Sequence, residues 1–181
     1  MNRLWLAGSV VGIAVVFAAC GGEGTAPANK PPSASAGAAD KTLETRWLRG
    51  LWANDIRAAL ATVGMNCQGP ATENRASVWT CDSGTPLVSY KVRFYGSTPG
   101  KIEYINAVVT QSGPPKDNLP LRLFGAIAGL HFDGADPPKA REWVQSSIAA
   151  GGTTTLGPAK YKLAGDATRR ILDVKASGSE W

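Results

Sequence analysis

The chain is poor in the residues on which most enzyme chemistry depends. His131 is the only histidine among 181 residues. A nucleophile needs a base within hydrogen-bond reach, so any triad would have to be built around that single imidazole. It follows an apolar helical stretch, where the helix dipole alone favours it. No Cys-x-x-Cys occurs, and one histidine with three scattered cysteines offers no zinc set. Gly-x-Gly-x-x-Gly, the phosphate-loop lysine motif and Gly-x-Ser-x-Gly are all missing. We therefore expect no assembled catalytic set, no metal and no cofactor. No repeat of solenoid period is visible, and no segment after the first twenty residues reads as a membrane span.

Leu4 to Ala19 is a run of sixteen residues without charge, preceded by Arg3. Roughly twenty apolar residues are needed to cross hydrocarbon as a helix, so the run fits the core of a secretory signal better than an anchor. It ends in Val15-Val16-Phe17-Ala18-Ala19-Cys20, which resembles the lipobox of bacterial lipoproteins, with Phe17 where that family most often has leucine. The resemblance covers only the first twenty or so residues. It implies that Cys20 receives a diacylglycerol, that cleavage follows Ala19, and that acyl chains hold the protein on a membrane, two chains being enough for stable attachment. An ordinary signal peptide with a chance cysteine, or an uncleaved anchor, is the alternative.

Residues 20–40 carry no large apolar side chain after the cysteine and cannot offset the entropy of ordering, so they read as a tether spanning roughly 25 Å. Residues 41–181, about 140 in number, suit a single domain. With Cys20 assigned to lipid by the resemblance, Cys67 and Cys81 remain as a pair in an oxidising compartment. A bridge between them closes a loop of about fifteen residues, worth about 3 kcal/mol in the chain-entropy model.

The net charge is +5, with basic residues scattered among acids. That balance favours an anionic envelope surface and argues against nucleic acid, which an exported lipoprotein would seldom meet.

Leu43, Trp47, Leu48, Leu51, Trp52, Ile56, Ala59, Leu60 and Val63 recur at three- and four-residue steps. They predict a helix capped by Asp40 or Thr42 and closed by Gly64, with Gly50 as a potential break. Its arginines, Arg46, Arg49 and Arg57, read either as a solvated face or as a Trp-bearing basic surface for lipid headgroups. Met65 to Asn74 reads as a loop with Cys67, followed by a strand at Ser77–Asp82. Val88, Tyr90, Val92 and Phe94 alternate with Ser89, Lys91, Arg93 and Tyr95, the period of a half-buried strand. Lys101 to Gln111 places Ile102, Tyr104 and Val108 on one face and Ile105, Ala107 and Val109 on the other, as in a central strand.

Pro114-Pro115 crosses to a helix with Leu121, Phe124, Ile127, Ala128 and Leu130. Asp136 caps a third helix opened by Pro137. A short Thr153–Leu156 segment and a hairpin about Gly165-Asp166 complete the chain. The expected fold is α+β, an antiparallel sheet of about five strands with helices on one face, in the order α-β-β-β-α-α-β-β. That order resembles secretion-chaperone-like folds, in order only.

The leading expectation for function is a non-catalytic, lipid-anchored envelope protein binding another envelope protein or a surface component through its open sheet face. Lys91, Arg93 and Tyr95 are the first candidates, with Trp79, Tyr90, Tyr104 and Trp181 as further aromatics for such a platform. His131, Asp133 and Asp136 form a weaker polar candidate that helix capping alone would produce. The rivals are a carrier of lipid or a small apolar ligand between sheet and helices, and a carboxylate-based hydrolase.

Overall fold

A computed structural model of the chain describes residues 46–112 and 118–179. Cys20, the signal segment 1–19, the tether 20–40, Asp40 and Thr42, Pro114-Pro115 and Trp181 lie outside the described residues. Ten elements follow in order: α1 (Ala53–Ala61), β1 (Asn66–Glu73), β2 (Ala76–Thr85), β3 (Val88–Thr98), β4 (Lys101–Gln111), α2 (Asn118–Ala128), α3 (Pro137–Ser147), β5 (Gly152–Leu156), β6 (Ala159–Gly165) and β7 (Arg169–Ala176). The class is α+β, but the sheet has seven strands where about five were expected, in the spatial order β1-β2-β3-β4-β7-β6-β5 and antiparallel throughout. The element order therefore departs from the secretion-chaperone-like one.

The period of two builds the sheet's covered face. Cross-strand register aligns Cys67, Cys81, Val92, Ala107, Leu172 and Leu163 in one row and Trp79, Phe94, Ile105, Val174 and Tyr161 in the next. These residues join Ile56 and Leu60 of α1, Leu123, Phe124 and Ile127 of α2, and Ala140 and Val144 of α3 in one core. All three helices thus lie on the same side. Each large side chain taken out of water there contributes about 1.5 to 3 kcal/mol. β4 is the central strand, as its two-sided pattern predicts. Its one departure is Ile102, which turns into the core because the β3–β4 register shifts at Gly96 and Thr98.

The first helix is shorter than the periodicity predicts. Gly50 adopts φ +77° in a turn closed by Leu51 N–H donating to Leu48 O at 3.2 Å, and Leu48 N–H donates to Ile102 O at 2.7 Å. Leu48 and Leu51 are buried, but from outside the helix. The helix begins after Trp52, whose N–H donates to Asp55 Oδ2 at 3.0 Å. At its end Gly64 takes φ +83°, the left-handed closure expected of it.

The expected loop at Met65–Asn74 is instead the edge strand β1. Cys67 pairs directly with Cys81 and is disulfide-bonded to it, so the bridge joins β1 to β2. Apart from Cys67 every residue of β1 is exposed, and the register slips between Gln68 and Ala71 around Gly69-Pro70. The strand has little burial to hold it, and its covalent link supplies what packing does not.

Candidate binding face

The residues that alternate with the core rows point away from the helices, and there the sheet carries a polar and aromatic band. One row runs Gln68, Thr80, Arg93, Asn106, Asp173, Lys162; the next runs Val78, Tyr95, Tyr104, Lys175, Lys160. The side chains are tied to one another. Arg93 ion-pairs with Glu73 at 2.5 Å, reaching across β2 to the edge strand. Its guanidinium lies 5.2 Å from the centre of the Tyr95 ring, and Tyr95 stacks on Tyr104 at 5.5 Å with 21° between planes. Tyr104 donates its hydroxyl to Asp173 Oδ1 at 2.5 Å, and Asn106 Nδ2 donates to the same oxygen at 2.7 Å. The band so formed crosses β1, β3, β4 and β7 and brings together residues as far apart in sequence as Glu73 and Asp173.

The electrostatics follow from these contacts. Hydrogen bonding to Glu73 raises the Arg93 pKa, in keeping with a charge-assisted pair. Burial, and then the hydrogen bond to Asp173, push the Tyr104 phenol well above its ordinary value, so that it remains a neutral donor. Lys175 is buried in this band, opposite Tyr104 and Lys160.

Lys91, Arg93 and Tyr95 all occupy this outer face, in the positions the β3 alternation predicts. Arg93 and Tyr95 touch; Lys91 stands exposed two residues away, in register with Asp82 and Val108. Trp79 does not belong to the platform. It is 2% exposed and stacked on Phe94 at 5.2 Å in the core, and Tyr90 packs against the same core. Tyr104, Asn106 and Asp173 complete the band. Tyr104 was visible as an aromatic, whereas the pairing of β4 with β7 that delivers Asp173 has no local signal.

His131, Asp133 and Asp136 lie in the turn between α2 and α3. Asp136 caps α3 by accepting from Lys139 N–H at 3.2 Å and pairs with Lys139 Nζ at 3.0 Å. Those contacts hold its carboxyl below the ordinary carboxylate range. Asp133 N–H donates to Arg49 O at 2.8 Å, fastening this turn to the start of the domain. His131 is exposed. The arrangement serves the turn, with no hydrogen bond among the three residues themselves.

Among the described residues, two clefts lie on the helical side. One, of about 360 Å³, is open to solvent between α2 and α3, lined by Leu121, Gly125, Arg141, Val144 and Gln145. The other, of about 100 Å³, is lined by Val63, Met65, Tyr90, Arg122 and Leu123. No carboxylate lines either of them. Among the described residues no three His, Cys, Asp or Glu side chains group to hold a metal, and no helix is long and apolar enough to cross a membrane.

No protein-family model, curated protein or solved structure matches the chain.

Proposed function

We infer that the protein is a lipid-anchored component of the cell envelope whose domain binds another envelope protein or surface component through the outer face of its sheet. The observation that carries this reading is the band from Glu73 through Arg93, Tyr95 and Tyr104 to Asp173, fixed by contacts among its own members on the side away from all three helices. Rigid aromatics and an arginine supply contact area at small entropic cost, because their orientation is settled before a partner arrives. Anchoring at Cys20 rests on the lipobox resemblance and would hold this face near other envelope components.

A photoreactive side chain at Lys91, on the outer face, and another at Arg122, on the helical side, test the reading in intact cells. A discrete adduct should form from position 91, be absent from position 122, and diminish when Arg93 and Tyr95 are both replaced by alanine. Adducts of equal yield from both positions, or an unchanged yield in a folded Arg93→Ala/Tyr95→Ala variant, would remove the face from consideration. The intact mass of the membrane-purified chain, with and without reductant, reports the acylation of Cys20.

A further inference from the structure

At the end of the sheet where the described chain begins, two indoles stay outside the core. Trp52 is 59% exposed, and the only other large apolar side chain so exposed among the described residues is Leu87, at 65%, in the β2–β3 turn at the opposite end. The Trp52 ring lies against Gly100 in the β3–β4 turn, so near that a Cβ there would meet ring atoms at 3.0 to 3.2 Å. Ala53 N–H donates to Pro99 O at 2.7 Å and holds the indole at that turn. Trp47, half-buried, carries Lys101 Nζ 5.2 Å from its ring centre.

Exposed cations lie at the same end of the sheet: Lys101 at the start of β4 over the Trp47 ring, Arg46 and Arg49 beside the indoles in the chain, and Arg75 in the β1–β2 turn. The carboxylates at this end are Asp55, Asp133, the half-buried Glu103 and Glu73, the last already ion-paired with Arg93. An indole with one apolar edge and one donor, set among cations, suits the headgroup layer of a bilayer, where tryptophan concentrates and arginine and lysine meet anionic lipid.

We propose that Trp47 and Trp52, with Arg46, Arg49, Arg75 and Lys101, form a docking surface for the headgroup layer of a membrane containing anionic phospholipid. The occupant follows from the charge and from the chain outside the described residues. That chain joins the domain at this end, and Cys20 lies roughly 25 residues before Arg46, a reach of about 25 to 30 Å. The inference uses the anchored reading only for that reach. Docked by this end, the strands stand away from the lipid, and the outer face stays open to a partner.

The test uses the membrane-purified full chain reconstituted into vesicles of phosphatidylcholine and phosphatidylglycerol with brominated acyl chains, which quench indoles within the bilayer. Bromine should quench part of the tryptophan emission. Trp52→Phe should lower the quenched fraction at least two-fold, Trp47→Phe/Trp52→Phe should remove most of it, and Leu87→Ala should leave it unchanged. Arg46→Glu/Lys101→Glu should also lower it with both indoles intact, which keeps the test valid if the double tryptophan variant misfolds. Equal quenching in the folded double tryptophan variant overturns the proposal. So does shielding of Trp52 from acrylamide without bromine quenching, the mark of a protein or a second copy on the patch. Intact mass separates the two readings: acylated Cys20 without quenching defeats the patch alone, and unmodified Cys20 with quenching that is lost in Trp47→Phe/Trp52→Phe defeats the anchor alone.

Discussion

Phe94 and Tyr95 follow one another on β3, have nearly the same size, and belong to opposite sides of one sheet. Phe94 is fully buried, stacked on Trp79 and enclosed by helices. Tyr95 is half-exposed and held by a ring contact with Tyr104 and a guanidinium. On the covered side position is enforced by volume, since any gap loses contacts that nothing replaces. On the outer side it is enforced by a few directed contacts between part-buried and exposed groups. Loss of one outer contact should consequently cost less stability than a gap in the core.

The largest expected effect contrasts these two neighbours. Phe94→Ala should cost about 3 to 5 kcal/mol in urea unfolding, the range for a large buried aromatic. Tyr95→Ala should cost about 1 kcal/mol, the worth of a partly exposed ring pair and a cation contact. Similar losses at both sites would break the distinction. Next comes the edge strand, which neither kind of contact secures well. Replacing Cys67 and Cys81 by serine should cost about 3 kcal/mol, with hydrogen exchange accelerating first in β1.

The tyrosines sharpen the contrast through pH. Burial raises Tyr161, on the covered face, to about 12, and raises Tyr104, on the outer face, with help from Asp173. Raised phenol values mean that the folded state favours the neutral form. The resulting stability is fully present below the ordinary tyrosine value near 10 and is lost as pH rises from there through the folded value. For Tyr161 the loss amounts to about 2 to 3 kcal/mol by pH 12. Unfolding measured between pH 9 and 12 should show a shallower alkaline decline in Tyr161→Phe than in the unaltered chain. An unchanged slope would mean that the phenol is not shielded as its burial implies.

Much of this arrangement is written locally. The alternation of Val88 to Tyr95 assigns Phe94 to the core and Lys91, Arg93 and Tyr95 to the other face, and Asp136-Pro137 marks the start of α3. The misreadings have physical causes. β1 lacks alternation because an exposed edge strand has no face to bury, and Gly69-Pro70 looks like a turn. The long helix predicted from Leu43 fails because Leu48 and Leu51 reach the core from either side of a turn at Gly50, where helical spacing and helical structure part company. Trp79 faces the core and not the outer band; an aromatic's type does not reveal which way its strand faces. The insertion of β7 between β4 and β6 is a long-range pairing, and the band's Asp173 is delivered only by it.

The smallest effect concerns whether the outer band acts as a unit. Tyr104 and Asn106 both donate to one oxygen of Asp173, so Asp173→Ala leaves two part-buried donors short of an acceptor and should cost about 1 to 2 kcal/mol. Tyr104→Phe removes only one donor and should cost less. In the double variant the orphaned hydroxyl no longer exists, so the combined loss should fall short of the sum by about 1 kcal/mol, read from a double-mutant cycle in urea. A face held in place by its own hydrogen bonds requires that coupling. Additive losses would mean that the Tyr104 hydroxyl finds water as readily as Asp173, and that the Tyr95 and Tyr104 rings owe their orientation to the strand backbone alone.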